Sequence, residues 1–119
     1  MNSRILIVDD DGLVRSFLVR VLEEHGHLVE QAASGGEALG KLVDQDFAIV
    51  ITDLRMADIS GMDLMREARR SGVETKWIII TAYGSIGNAV EAMKEGASDY
   101  LTKPLAGPDD LRRVVHRVL

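Results

Sequence analysis

Residues 5–8 read Ile-Leu-Ile-Val, and three acids, Asp9-Asp10-Asp11, follow directly. The run is continuously apolar and rich in β-branched residues, which is typical of a parallel strand buried on both faces. Residues 48–51, Ala-Ile-Val-Ile, and residues 77–80, Trp-Ile-Ile-Ile, have the same character. These three runs predict the central strands of a parallel sheet.

Helical patterns separate the strand-like runs, with apolar residues recurring every three or four positions. Ser34 and Glu37 are spaced as in a capping box, which predicts the start of the second helix. Glycine often caps the C-terminus of a helix, so Gly26, Gly72 and Gly96 predict the ends of the first, third and fourth helices. The apolar stripes of the five helices are Val14, Phe17, Leu18, Val21 and Leu22; Ala38, Leu39, Leu42 and Val43; Leu64, Met65 and Ala68; Ile86, Val90 and Met93; and Leu111, Val114, Val115 and Val118.

Two further strands complete the alternation, a weaker one at residues 28–31 and a short one at residues 99–102. Pro108 is expected in the first turn of the last helix, where a missing N–H costs nothing. Strict alternation with short loops calls for a parallel sheet with helices on both faces, because right-handed crossovers leave few other topologies. We therefore predict an α/β fold: a doubly wound, five-stranded parallel sheet of flavodoxin-like (βα)5 type, with strand order 2-1-3-4-5.

The composition is that of a small globular protein. The chain has 119 residues, and we expect residues 1–119 to form a single domain. No apolar run approaches the roughly 20 residues of a membrane helix, and residues 1–4 show no secretory leader, so a cytoplasmic location is expected. The absence of cysteine excludes disulfides and thiolate ligands. With a net charge of -5, the chain lacks the excess of positive charge that binds nucleic acid phosphates. Any output domain that contacts DNA is therefore expected outside this chain.

Polar residues collect where the predicted strands end. The first strand ends in Asp9 and Asp10, the third in Asp53, the fourth in Thr81, and the fifth is followed by Lys103. In open α/β sheets ligands bind at the carboxyl ends of the strands, beside the point where the strand order reverses. The first and third strands flank that point in the predicted order. At least three carboxylates are therefore expected in one small pocket.

The expected pocket suits a hard divalent cation. Crowded carboxylates repel one another unless a cation or protons neutralise them. With only oxygen ligands on offer, Mg2+ is the natural choice, since it pairs with one or two carboxylates plus a phosphate. A metal, an ammonium and a hydroxyl together match the needs of phosphoryl transfer, and a carboxylate can hold the transferred group as an aspartyl phosphate.

Other polar residues near these positions have plainer interpretations. Asp11 comes just before the first helix, where an acid most often serves as the N-cap. His25, His27 and His116 show no ligand spacing, and we expect them to lie on the surface. These four residues are not predicted to take part in the chemistry.

Taken together, five motifs in register resemble the receiver domain of two-component response regulators, in the CheY-like superfamily, over essentially the whole chain. The motifs are residues 5–10 with their acidic pair, the segment Val50-Ile51-Thr52-Asp53-Leu54-Arg55-Met56, Gly61, Ile80-Thr81-Ala82, and residues 96–104, Gly-Ala-Ser-Asp-Tyr-Leu-Thr-Lys-Pro. Among receivers, the sequence is most similar to those of transcriptional regulators.

The resemblance implies a phosphoacceptor domain that acts as a self-phosphorylating and self-dephosphorylating switch rather than as a turnover enzyme. A cognate histidine kinase would donate a phosphoryl group to Asp53. The implied Mg2+ ligands are Asp9, Asp10, Asp53 and the backbone carbonyl of Arg55. Transcription would then be controlled through another domain.

Three further roles follow from the resemblance. Thr81 would hydrogen-bond the phosphoryl group, and Lys103 would form an ion pair with it. Thr81 and Tyr100 would together switch a surface made of the fourth helix, fifth strand and fifth helix. This surface would dock an output domain or a second copy of the chain.

Departures from the family pattern fall in two loops. Ala57 stands where a proline commonly follows the methionine, so we expect a less rigid loop after Asp53. Leu105 stands where an aromatic residue is frequent. The bond between Lys103 and Pro104 is expected to be a cis peptide by the same resemblance.

Two alternatives come from other protein classes. Residues 9–13 also resemble the Asp-x-Asp-Gly motif of haloacid-dehalogenase-type phosphatases, with Asp9 as nucleophile and Asp11 as acid/base. Such enzymes generally need a larger core, and Asp53 would have no task in one. A flavin-binding module would need a phosphate-cradling loop after the first strand, and aromatic residues make up only 4% of the chain.

Overall fold

The computed structural model describes residues 3–82, 86–103 and 108–119. Five strands alternate with five helices along the chain. The strands are β1 (Arg4–Val8), β2 (Leu28–Ala32), β3 (Ile49–Asp53), β4 (Lys76–Thr81) and β5 (Asp99–Thr102). The helices are α1 (Gly12–Glu23), α2 (Gly35–Asp44), α3 (Gly61–Arg70), α4 (Ile86–Lys94) and α5 (Pro108–Val118).

The strands form one parallel sheet in the order β2-β1-β3-β4-β5, which confirms the predicted topology. β1 lies between β2 and β3, with Val8 beside Ala32 on one side and Thr52 on the other. On the far side of β3, Asp53 pairs with Ile80. The carboxyl ends of β1, β3 and β4 therefore meet at one edge of the sheet.

Helices cover both faces of this sheet. Alternate strand residues point to opposite faces, so the continuously apolar strands supply two separate cores. One core joins Leu6, Val50 and Ile79 to buried residues of α2, α3 and α4. The other joins Ile5 and Ile51 to buried residues of α1 and α5. Burial on both faces explains why the central strands lack a polar/apolar alternation.

The helix ends follow the local signals in the sequence. Asp11 is the N-cap of α1, where its side chain accepts from the backbone N–H groups of Leu13 and Val14. Ser34 caps α2 by accepting from Glu37 N at 3.1 Å. Three glycines just beyond helix ends have positive φ, as expected for C-terminal caps: Gly26, Gly72 and Gly96.

Helix α4 differs from the expectation. Its predicted stripe included Val90 and Met93, yet the side chains of both are 48% exposed, whereas Ala92 is fully buried. Val90 and Met93 are three positions apart and so share a helix face, which here points away from the sheet. The small side chain of Ala92 faces the core instead. Outside α4, Phe17 and Val43 are also exposed members of predicted stripes.

Two sequence expectations lie outside the described residues, namely the conformation of the Lys103–Pro104 bond and the packing of Leu105. Within the described ranges, no helix is both long and apolar enough to cross a membrane.

Candidate metal centre

Three carboxylates converge at the carboxyl edge of the sheet. Asp9 and Asp10 follow β1, and Asp53 is the last residue of β3. One carboxylate oxygen from each lies within 4.8 Å of the other two. Asp9 is fully buried, Asp53 is buried and Asp10 is exposed. The structure thus brings together the three acids that the sequence placed at neighbouring strand ends.

Lys103 supplies a positive charge to this cluster from beyond the end of β5. Its Nζ lies 2.7 Å from Asp9 Oδ2 and 3.2 Å from Asp53 Oδ2. The backbone N–H of Lys103 donates to Thr81 O at 2.8 Å, which fixes the residue beside the end of β4. One ammonium offsets only part of the charge of three carboxylates.

Burial and charge act in opposite directions on Asp53. Desolvation raises the pKa of Asp53 above its ordinary value, and the charge of Asp9 adds to the increase, whereas the Lys103 ammonium opposes it. For Lys103, burial lowers the pKa, but the hydrogen bond to Asp9 and the charge of Asp53 outweigh burial and raise it. Lys103 therefore remains a cation beside the acids at neutral pH.

The backbone around Asp9 is held by two residues on α1 or at its start. Asp11 N donates to Asp9 Oδ1 at 2.9 Å, while the Asp11 carboxylate caps α1 and does not join the acidic cluster. Arg15 donates from Nη1 to Asp9 O at 2.7 Å, and from Nε to the side chain of Gln31 at 3.1 Å. The sequence did not predict the contact between Arg15 and Asp9, although the long side chain of an arginine in the first turn of a helix can reach residues that precede the N-cap.

The loop after Asp53 begins against the end of β3. Arg55 N donates to Asp53 Oδ1 at 3.4 Å, and Gly61 N donates to Leu54 O at 2.9 Å. A Cβ atom on Gly61 would lie 2.4 Å from the carbonyl oxygen of Asp53, so only glycine allows this close approach. Gly61, singled out from the sequence, thus lets α3 start directly behind Asp53.

An open cavity of about 540 Å³ lies over the cluster, and its wall includes Asp10, Asp53, Arg55 and Lys103. Thr81 is fully buried at the end of β4 and is not part of that wall. Tyr100 is partly buried and packs against the core that faces α2, α3 and α4. Its hydroxyl is buried and has no hydrogen-bond partner among the described residues.

The donor set of this site suits a hard cation. All the side-chain ligands on offer are oxygens, and one of the three acids is open to solvent, so a bound ion could keep several waters. This is the environment that Mg2+ prefers in proteins. In the described part of the chain no other group of acids or histidines is spaced to hold a metal.

The chain matches the family model described as the response regulator receiver domain over residues 5–116. It belongs to the response regulator receiver domain family. Among curated proteins, the receiver is 39% identical to the acid tolerance regulatory protein ActR of Rhizobium meliloti (strain 1021), over 98% of this chain and 60% of ActR. It is likewise 39% identical to the transcriptional regulatory protein ZraR of Escherichia coli (strain K12), over 99% of this chain but only 26% of ZraR.

Solved structures give the same result for the receiver fold. The chemotaxis protein CheY4 of Vibrio cholerae matches with a TM-score of 0.93 and 30% identity, with both chains fully covered. The response regulator TrrA of Thermotoga maritima, solved in complex with Mg2+ and BeF, matches with a TM-score of 0.86 and 32% identity over 98% of this chain and 99% of TrrA. Membership of this family excludes the haloacid-dehalogenase and flavin-binding interpretations.

Proposed function

We propose that Asp53 is the phosphoacceptor of this receiver and takes its phosphoryl group from the phosphohistidine of a cognate histidine kinase. A carboxylate oxygen of Asp53 attacks phosphorus, and the P–O bond forms as the P–N bond breaks and the imidazole leaves. The observation that carries this proposal is the position of Asp53: it ends the central strand β3, lies 3.2 Å from Lys103 Nζ and lines the open cavity.

The neighbouring residues match the needs of such a transfer. Asp9, Asp10, Asp53 and the backbone carbonyl of Arg55 would hold Mg2+, which supplies positive charge for the phosphoryl oxygens when bound. The three carboxylates and one ammonium leave a net excess of two negative charges, which one divalent cation would neutralise. Lys103 would turn its ammonium from Asp53 to the phosphoryl oxygens, and Thr81 would donate its hydroxyl to them.

An exposed groove on α1 adjoins the site. Leu13 is 85% exposed and Phe17 is 39% exposed on α1, and together with Ala82 and Lys103 they line a largely apolar groove of about 490 Å³. Large exposed apolar side chains beside a reactive group favour docking of a partner protein. We propose this groove as a surface that the kinase contacts during transfer.

The phosphoryl signal would leave the site through Thr81 and Tyr100. Movement of Thr81 toward the phosphoryl group would free space for Tyr100, whose hydroxyl has no hydrogen-bond partner among the described residues to hold it in place. The surface of α4, β5 and α5 would then change, including the ion pair between Arg117 and Asp99. The names of ActR and ZraR support a regulatory output, which for this receiver would be control of transcription through another domain or through self-association.

The protein would thus work as a switch, with a phosphoryl group bound to its own side chain. The test is intact mass after treatment with acetyl phosphate and Mg2+, with Asp53→Asn in parallel. We expect one phosphoryl group, stable in acid and labile in base and hydroxylamine, on the wild type and none on the variant. Labelling that persists in Asp53→Asn but disappears in Asp9→Asn would contradict the proposal.

A further inference from the structure

The loop that follows Asp53 is attached to a distant helix through Asp58. The Oδ1 atom of Asp58 accepts from Gly35 N at 3.1 Å, and its Oδ2 atom accepts from Gly36 N at 2.9 Å. Gly35 and Gly36 are the first two residues of α2, whose N-terminal N–H groups have no partners within the helix. The Gly36 and Gly35 N–H groups lower the pKa of Asp58, so its carboxylate is ionised at neutral pH.

The next residue, Ile59, fits against the same helix end. A Cβ atom on Gly35 would lie 2.4 Å from Ile59 Cγ1, whereas a Cβ atom on Gly36 would lie 3.5 Å from Asp58 Oδ2, an ordinary contact distance. Glycine is therefore required for this packing at position 35 but not at position 36. Hydrogen bonds and side-chain packing together seat the loop on the N-terminus of α2.

The loop is thus fixed at both ends, with Arg55 between the two attachments. At the start, Leu54 N donates to Ile80 O at 3.3 Å and Leu54 O accepts from Gly61 N at 2.9 Å. At the other end of the loop, the Asp58 carboxylate accepts from the N–H groups of Gly35 and Gly36 at the start of α2. Ala57 has no ring to restrict its own φ, so the loop's path past Arg55 depends on these attachments together with the hydrogen bond from Arg55 N to Asp53 Oδ1.

We propose that Asp58 is a positioning residue for the metal site: by fastening the loop to α2, it positions the backbone carbonyl of Arg55 and so sets the affinity for Mg2+. This inference rests on the proposed function, because it takes the Arg55 carbonyl to be a metal ligand. Asp58 itself does not touch the metal. Its two acceptor oxygens act through Gly35 and Gly36, and the effect reaches the site through the loop.

Calorimetric titration of the unphosphorylated protein with Mg2+ tests this role. Removal of groups that orient metal ligands typically costs 10- to 100-fold in affinity, so Asp58→Ala should raise the dissociation constant about tenfold. Asp58→Asn keeps one acceptor oxygen and should give a smaller rise. Asp46→Ala is the matched control, because Asp46 is an exposed acid before β3 with the same charge, and its dissociation constant should equal that of the wild type.

A second pair of variants perturbs the loop from the helix side. Gly35→Ala places a methyl group against Ile59 and should weaken Mg2+ binding in the same direction as Asp58→Ala. Gly36→Ala adds the same methyl group where there is room and should bind Mg2+ like the wild type. Urea denaturation in EDTA, run on each variant, separates metal affinity from general stability.

The outcomes distinguish this inference from the proposed function. Weakened Mg2+ binding in Asp58→Ala and Gly35→Ala, with normal binding in both controls, supports the positioning role. If Asp58→Ala lowers the urea midpoint but leaves Mg2+ affinity unchanged, Asp58 is only a helix cap and the inference fails alone. A wild-type protein that binds no Mg2+ and takes up no phosphoryl group overturns the proposed function, and the inference with it.

Discussion

The Nζ atom of Lys103 lies 2.7 Å from Oδ2 of Asp9, the most buried carboxylate of the acidic cluster. Without metal, this ammonium is the counter-charge that makes a fully buried acid tolerable. Removing one partner of a buried ion pair leaves the other charge uncompensated and is strongly destabilising.

Lys103→Met should therefore lower the free energy of unfolding of the metal-free protein by about 3 kcal/mol. The measurement is urea denaturation in EDTA. Added Mg2+ should restore more stability to this variant than to the wild type, because the metal replaces the missing charge. Lys94→Met on the exposed side of α4 is the control and should unfold like the wild type; an equal loss in both variants would contradict the assigned role of Lys103.

Asp53→Asn should stabilise the metal-free protein relative to the wild type as pH rises. The pKa of Asp53 is raised in the folded state by burial, so between its ordinary value and the raised value the folded state binds more protons than the unfolded state. Below the ordinary pKa of an aspartate, Asp53 does not reduce the free energy of unfolding of the wild type. As pH rises through that window, the free energy of unfolding falls. Urea midpoints of the two proteins in EDTA should diverge with increasing pH; parallel curves would contradict the pKa direction.

The acidic pair should act through the metal. Asp9→Ala/Asp10→Ala is expected to lose Mg2+ binding and phosphoryl uptake together, while circular dichroism shows an intact fold. Asp44→Ala/Asp46→Ala removes the same charge from exposed positions and should keep both activities. Phosphoryl uptake by the first double variant at the normal rate, with unchanged dependence on Mg2+, would mean that the ligands are wrongly assigned.

Tyr100→Phe should increase the free energy of unfolding by about 1 kcal/mol, because it removes a buried hydroxyl that has no partner among the described residues. Urea denaturation of the unphosphorylated protein measures this gain. The same substitution removes the hydroxyl of the side chain proposed to respond to Thr81, so the change in hydrogen exchange over residues 86–103 on addition of a beryllofluoride mimic should be altered. A loss of stability would show that the hydroxyl is satisfied.

Much of the fold and of the acidic cluster could be predicted because the signals are local. The apolar run at residues 5–8 predicts a buried parallel strand. In a doubly wound parallel sheet, the strand order brings Asp9 and Asp53 to one edge. Lys103 directly follows β5, so the same topology places it at that edge. The match to the receiver family over residues 5–116 includes all five motifs.

The attachments around the site could not be predicted, because they join residues without a shared local pattern. Asp58 reaches back 22 positions to Gly36, and nothing in the five motifs marks it as a helix cap. The face of α4 that packs against the sheet was also predicted wrongly, because Val90 and Met93 fit an apolar stripe as well as any buried pair. There the deciding factor is which side chain fits closely against the sheet, and Ala92 does so.

The contact between Asp9 and Lys103 joins positions 94 residues apart, near the two ends of the chain. Contacts of such separation form late, because the cost of closing the intervening loop must be met before they contribute stability. During synthesis Asp9 and Asp53 leave the ribosome well before Lys103 does. A nascent chain can therefore carry all three acids of the cluster before Lys103 has been made, and the site becomes complete only when β5 has joined the sheet.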